Sequence, residues 1–552
     1  MKFFNRFGKL LTPEQKLERN NELLFGILSG VLLGFSFPPV PLPFLSFFAL
    51  IPYFFVLEKK ETLASINRYT YFTLFFFSLI TLYWVGSWTK EADTFLKISG
   101  IALLIFSPFF YLIVSTLYYF SRKAFGKKTA ILLFPLYWVT FEYLYSLTDI
   151  RFPWITLGNS LPYFTKFIQI ADLSGVYGLS LIILYINVFL YLSLKDYKLS
   201  KKIKSVPAII AISFFLIPLI YGIIRIHTLN TPVKKVKVGL IQPNINPWDK
   251  WQAENSNSQL NILLNLSEKA AAEGAKIIIW PESALPVYLL SGNNNFAVEQ
   301  IYKFVLTNKV FLLTGMPDIN RFLNRNEAPK DVKETKSGIL YTSYNSILLF
   351  SPYTNDIQKY GKIKLVPFGE HVPFVEALPF LGDFIKWQVG ISSWNVGKEQ
   401  VVFNLRENKD SEIKAAGVIC IESIYPDFVA GFVKKGAEII AVVTNDSWYG
   451  YSSGPFQHEE IAVLRAVENR RTVVRAANGG ISCIINPSGN IISSTKLFTS
   501  NYLVGDAVIS DEKTFYTQYP LIIPLTASFI SIVTILFFIY NLLSIKVKKR
   551  HE

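Results

Sequence analysis

Cys420 is the side chain from which a reaction could start. An apolar run, Ala415–Ile419, delivers it to a point where polarity returns abruptly with Glu422 and Ser423. A thiolate is the most nucleophilic side chain near neutral pH, but it needs a neighbouring base or cation to form. Two other stretches offer such partners. The run Lys276–Trp280 ends in Pro281-Glu282-Ser283, and the segment Tyr360–His371 carries Lys362, Lys364, Glu370 and His371. Brought into one pocket, a Glu would take the thiol proton and return it, while a Lys would stabilise the oxyanion formed when sulfur attacks an acyl carbonyl. Taken singly, each signal is weak: a Glu or Lys at a strand end is usually a solvated charge, and a lone Cys is usually core.

The elements that must position these groups read as strands alternating with helices. Val236–Gln242, Lys276–Trp280, Val310–Gly315, Ser346–Phe350, Ala415–Ile419, Ile439–Thr444, Thr472–Ala476 and Ile481–Ile485 are β-branched or continuously apolar, as buried strands are. Helical patterns fall at Gln252–Glu273, Phe296–Asn308, Tyr425–Lys435 and His458–Asn469, and Asn320–Lys336 reads as a mobile polar loop. Such a domain, of about 280 residues, is large enough for a substantial core, and α/β folds place chemistry at strand ends.

The rest of the chain is of another kind. Of its 552 residues 51% are hydrophobic, and 47 are Phe. The apolarity clusters in candidate membrane spans at Leu23–Phe37, Phe44–Leu57, Tyr71–Trp88, Ile98–Phe120, Thr129–Leu147, Gly175–Leu194, Val206–Ile226 and Pro520–Ile545, seven before the polar block and one after it. The first two are short and read as a tilted or re-entrant hairpin around Pro38-Pro39-Val40-Pro41. Alternate flanks of the spans hold 21 Lys and Arg against 4 on the others, which predicts cytoplasmic termini and an outward-facing block Val233–Lys513. The expected domains are therefore 1–230, 231–515 and 516–552. Glu142 falls inside a candidate span, where an ionisable group calls for a polar partner or a place near the interface.

The basic flanks account for most of the net charge of +15, so no nucleic-acid surface is needed. The first apolar segment follows a polar start and leads into further spans, which reads as a signal anchor. Two cysteines are too few for a disulfide framework or a thiolate metal site. Cys420 and Cys483 could pair, but Cys483 sits in a strand pattern and reads better as a packed side chain.

In chain order, Trp280-Pro281-Glu282, then Lys362 with Leu365-Val366-Pro367-Phe368-Gly369-Glu370, then Ile419-Cys420-Ile421-Glu422 resemble the motifs of the nitrilase superfamily. Combined with the spans, the chain is similar to that superfamily's membrane-bound branch, the apolipoprotein N-acyltransferase family. Phe35–Pro39, Phe152-Pro153-Trp154, Gly158, Gly175–Ser180, Asn445–Gly450, Gly454–His458, Arg465–Arg470 and Arg475–Gly480 extend the match over nearly the whole chain. Alone, Pro38 and Pro39 would only end a helix, Trp154 would anchor an interface, and Arg465, Arg470 and Arg475 would be surface charges.

The resemblance implies a multi-span helical bundle of about eight spans carrying an outward-facing α-β-β-α sandwich. It implies Glu282, Lys362 and Cys420 as catalytic residues, with Glu370, Glu422 and the backbone N–H of Ile421 in support and no cofactor or metal. Trp251, Trp387 and Trp448 would bind substrate, and Trp248, Phe384 and Trp394 would line an acyl path or dip into the membrane interface. The partners implied are a glycerophospholipid acyl donor, a diacylated apolipoprotein acceptor and the inner membrane, with Cys420 carrying the acyl chain as a thioester. The chain departs from the family pattern where Ile421 replaces a usual Tyr and Lys364 a usual His. Lys364 could lower the cysteine pKa or pair with an acid. A membrane-tethered amidase would use the same three residues with water as acceptor, whereas a transporter is disfavoured by spans so poor in ionisable groups.

Overall fold

The computed structural model describes residues 12–197, 201–229, 234–251, 256–374, 394–408 and 411–551. Helices occupy Pro13–Phe35, Ile51–Lys59, Leu63–Leu82, Thr94–Phe110, Leu112–Leu147, Ala171–Leu194, Ser205–Thr228 and, after the α/β block, Ile522–His551. Among the described residues five helical stretches are long and apolar enough to cross a membrane: Leu63–Gly86, Thr94–Leu147, Ala171–Leu194, Ser205–Thr228 and Ile522–Asn541. The count is lower than the sequence pattern suggested, for physical reasons. Pro13–Phe35 is helical but spends its first turns on Glu14, Lys16, Glu18, Arg19 and Glu22, and Ile51–Lys59 has only 9 residues. Conversely, Thr94–Leu147 has 54 residues, about 80 Å at 1.5 Å per residue and far longer than one crossing. Gly126 interrupts it with φ 82°, among the basic residues Arg122, Lys123, Lys127 and Lys128.

The block between the last two of these stretches folds as two facing sheets. The first contains β1 (Lys235–Gln242), β2 (Ile277–Trp280), β3 (Phe311–Phe322), β4 (Lys333–Glu334), β5 (Leu340–Phe350) and β6 (Gln358–Gly361), with β13 (Asn501–Val508) at one edge. Its order is β13-β1-β2-β3-β5-β4, with β6 also on β5. The second contains β7 (Val402–Arg406), β8 (Glu412–Ile419), β9 (Ile439–Asn445), β10 (Thr472–Asn478), β11 (Cys483–Ile485) and β12 (Ile491–Ser494), in the order β12-β11-β10-β9-β8-β7. The centre of each sheet is parallel, β1-β2-β3 and β8-β9-β10, and the other strand pairs are antiparallel.

Strand alternation builds the layers. In β2, Ile277 and Ile279 join Val418 and Val442 in the core between the sheets, while Ile278 and Trp280 face outward onto Leu263 and Phe304 of the helices Ser256–Ala272 and Asn295–Asn308. On the second sheet the outer layer is Pro426–Lys434 and Ser453–Asn469. The expected helices are present, with Gln252–Ala253-Glu254-Asn255 of the first lying outside the described residues. The polar loop expected at Asn320–Lys336 is narrower, because β3 runs on to Phe322 and β4 occupies Lys333–Glu334.

Ser453–Asn469 is also the seam with the membrane helices, and the seam is polar. Gln457 Oε1 accepts from Trp84 Nε1 (3.0 Å) and Trp154 Nε1 (2.7 Å), while its amide donates to the carbonyls of Pro38 and Thr81. Glu468 accepts from the Val176 N–H at 2.8 Å, and Arg470 binds Asp172 at 2.7 Å and Gln169 at 2.6 Å. Arg465, Arg470 and Arg475 are thus buried and paired rather than surface charges. Glu142 is buried as well and accepts from Trp138 Nε1 and the Leu157 N–H, which holds the loop carrying Trp154. Buried charges persist when paired in this way, and losing one partner leaves the other unsatisfied.

Candidate active site

Glu282, Lys362 and Cys420 arrive from three strand ends on the same side of the sandwich. Glu282 follows β2, Lys362 follows β6 and Cys420 follows β8. A Cβ on Gly315 of β3 would stand 2.6 Å from Glu282 Cα, so only glycine lets the Glu282 turn lie so close to its neighbouring strand. Cys420 sits at φ 50°, in the left-handed region, at the start of a short 3₁₀ turn, Cys420–Ile424. That strained strand-to-helix turn presents the side chain beyond the sheet instead of folding it into the core.

Lys362 is 1% exposed and lies between two carboxylates, 3.2 Å from Glu282 and 2.8 Å from Glu370. Asn345 of β5 donates to both, at 2.7 and 2.9 Å, and Glu370 also accepts from the Val366 N–H at 2.9 Å. Burial alone would discharge the ammonium, but Glu282, Glu370 and the cysteine hold its pKa above the ordinary value. Burial, and next the negative Glu282, push the Cys420 thiol up, against the opposing pull of Lys362. Sulfur is therefore a thiol at rest and needs a base in the reaction itself.

Glu422 does not face this pocket. It accepts from Tyr360 Oη (2.7 Å) and from the N–H groups of Ile363 (2.7 Å), Lys364 (3.1 Å) and Ile419 (2.9 Å), tying the lysine segment to the nucleophile turn. Burial pushes its carboxyl up to about 7, while these four donors favour the anion. Lys364 lies over the rings of Tyr425 and Phe428, at 5.4 and 5.7 Å from their centroids. Among the described residues it thus makes cation–π contacts rather than a close ion pair.

The three residues open onto a cavity of about 210 Å³. Trp251, Trp394 and Trp448 line it, as do Val85, Leu96, Leu103 and Phe152 from the membrane-spanning half of the chain. Trp248 stands edge-on to Trp448 at 5.0 Å, one layer back. Trp387 and Phe384 lie outside the described residues. Ile421 is buried beside the site and lines a smaller hollow with Trp154 and His458.

Several site groups were not singled out from the sequence. Asn345 looks like any strand polar residue, and Lys250 like any surface lysine, yet both line the cavity. A buried relay stands behind the nucleophile turn: Arg475 binds Asp446 (2.5 Å), Asp446 binds His458 Nδ1 (3.0 Å), and His458 Nε2 lies 2.9 Å from Ser423 Oγ and 3.2 Å from the Cys420 carbonyl. A His flanked by Gln457, Glu459 and Glu460 on a helix gives no sign of this in sequence. Arg475 and His458 hold Asp446 well below the usual carboxylate range despite its burial.

Residues 29–189 match the family profile described as the apolipoprotein N-acyltransferase N-terminal domain, and residues 237–513 match that of the carbon-nitrogen hydrolases. The apolipoprotein N-acyltransferase of Chlorobaculum tepidum is 34% identical over 507 residues, covering 90% of this chain and 93% of its own. The chain belongs to the apolipoprotein N-acyltransferase family. Apolipoprotein N-acyltransferases of Geobacter metallireducens (30% identical, 93% of this chain and 94% of that one) and Rickettsia typhi (31%, 87% and 90%) are similar over nearly their full lengths. The protein is accordingly an acyltransferase of lipoprotein N-acylation, a membrane protein with a nitrilase-like domain.

Proposed function

We propose that Cys420 takes an acyl chain from a membrane glycerophospholipid as a thioester and passes it to the α-amine of an apolipoprotein's S-diacylglyceryl-cysteine. The observation that carries this reading is the cavity, which joins Glu282, Lys362 and Cys420 to apolar side chains of the membrane helices. A water-soluble amide needs no such wall, and an acyl chain does.

In the first half-reaction Glu282 removes the thiol proton as the sulfur–carbon bond forms. The ester's carbonyl oxygen becomes an oxyanion held by Lys362 and the Ile421 N–H. The carbon–oxygen bond then breaks, and Glu282 gives its proton to the departing lysophospholipid hydroxyl. In the second half-reaction the acceptor amine attacks the thioester, Glu282 takes the amine's proton, and the cysteine leaves and is reprotonated. Glu370 and Asn345 orient the lysine and the base, and Glu422 holds the turn. Trp251 and Trp448 contact substrate, as does Trp387.

The domains 1–230, 231–515 and 516–552 are part of the same reading. Eight crossings follow if Gly126 divides Thr94–Leu147 and if Pro13–Phe35 and Ile51–Lys59 form a hairpin, and the cation asymmetry supports cytoplasmic termini in the inner membrane. Cysteine labelling should then reach Asn324 from outside and Lys201 only from inside; the reverse pattern overturns the orientation. The function is tested with purified protein, acyl-labelled phospholipid and a diacylated lipopeptide. Label should appear in amide linkage on the lipopeptide, and release of free fatty acid alone would favour the amidase-type hydrolase instead.

A further inference from the structure

Among the described residues two lysines line the active-site cavity, and they are held in opposite ways. Lys362 is ion-paired with both Glu282 and Glu370. Lys250 is 1% exposed, yet the one hydrogen bond its ammonium makes among the described residues goes to the Glu282 carbonyl, at 3.3 Å. No described carboxylate comes within 4 Å of it in the way that two approach Lys362. An ammonium has three donors, and burying it with one long bond to a neutral carbonyl is costly. Burial lowers its pKa to about 8, partly offset by the more distant Glu282 charge, so it remains largely charged near neutral pH. The other walls are mostly apolar and aromatic, with Trp251 next in sequence.

A buried cation with spare donors facing a cavity calls for an anionic acceptor that arrives with the ligand. We propose that Lys250 is the donor-selecting residue of the site, binding the phosphodiester of the acyl donor while the donor's ester carbonyl lies at Cys420. This rests on the phospholipid-donor reading above and adds to it a residue and a selection rule. The acceptor amine brings no phosphate, so Lys250 should matter to formation of the thioester from phospholipid more than to its consumption. It should also make a glycerolipid lacking the phosphate a poor donor.

The test uses the full-length protein in mixed micelles, with dipalmitoyl phosphatidylglycerol and 1,2-dipalmitoylglycerol as probes, and follows acyl adduct formation on Cys420 by intact mass. The wild-type protein should acylate faster from the phospholipid. In Lys250→Met, a change that replaces the ammonium with an apolar side chain of similar length, the ratio of the two rates should fall roughly 10- to 100-fold, the loss typical of a charged hydrogen bond. A ratio unchanged by the substitution, whether both rates persist or both fall together, overturns the inference while leaving the donor reading intact. Equal wild-type rates from the two lipids overturn it without recourse to any variant. Wild-type acylation from the diacylglycerol alone would sink the donor reading, and this inference with it.

Discussion

The two cysteines make an instructive pair. Cys483 lies in the second sheet and Cys420 just past one of its strands, and burial is the largest cause raising the pKa of each thiol. Cys483 lies within β11 opposite Arg475 of β10, fully buried, with Glu459 beside it. Cys420 stands one residue past the end of β8, in a left-handed turn, beside a buried Lys-Glu pair and an open cavity. A depressed thiol pKa is therefore not what distinguishes the nucleophile here. Position does: Cys420 lies just past the C-terminal end of a parallel strand, where a side chain points at ligand space, whereas Cys483 lies inside an antiparallel ladder, where it points at a neighbouring layer.

The comparison is broken most directly by removing each sulfur. Cys420→Ala should abolish acyl transfer to a lipopeptide, and Cys483→Ala should retain most of it. Equal losses would mean that packing, not placement, governs both. A finer test compares carboxylates. Glu282→Gln keeps shape and hydrogen bonding but cannot take a proton, so single-turnover acylation should fall by roughly 10²–10⁴-fold. Glu370→Gln, which keeps its place beside Lys362, should lose less; the opposite ranking would move the base to Glu370. The smallest effect is on simple reactivity. Because the Cys420 pKa is raised, its thiolate fraction at neutral pH is below that of a free cysteine. Alkylation of Cys420 by iodoacetamide in the resting enzyme should therefore be slow and still rising at pH 9. A plateau near neutral pH would show that Lys362 outweighs burial and Glu282.

Much of this was legible in the sequence because the strands that carry the site are apolar and end abruptly. Lys276–Trp280 and Ala415–Ile419 announce themselves, and the residues just beyond them, Glu282 and Cys420, are where chemistry is found. The strands missed were those that are short or weakly patterned: β4 and β6 have 2 and 4 residues, β7 alternates at a sheet edge, β12 is half exposed, and β13 contains Gly505 and Asp506. Among the candidate spans, the short apolar run Phe44–Leu57 folds as a 3₁₀ turn, Pro43–Phe47, and a 9-residue helix rather than as one long helix. What the pattern could not convey was pairing over long distance. Gln457 meets Trp84 and Pro38, and Arg470 meets Asp172, because two halves of the chain close at the helix Ser453–Asn469, while Asp446 meets His458 and Arg475 because that helix packs beside β9 and β10. Charged residues on that helix look solvent-facing by period alone, and tertiary contact overrides the period.

The central claim is that Cys420 holds the acyl chain between two half-reactions. Intact-mass spectrometry of the wild-type protein incubated with phospholipid and no acceptor addresses it directly. The account predicts a single acyl adduct that maps to Cys420, is removed by hydroxylamine, and disappears on adding a diacylated lipopeptide as the amide forms. A fully active preparation that never shows the adduct, or carries it on another residue, would contradict the account.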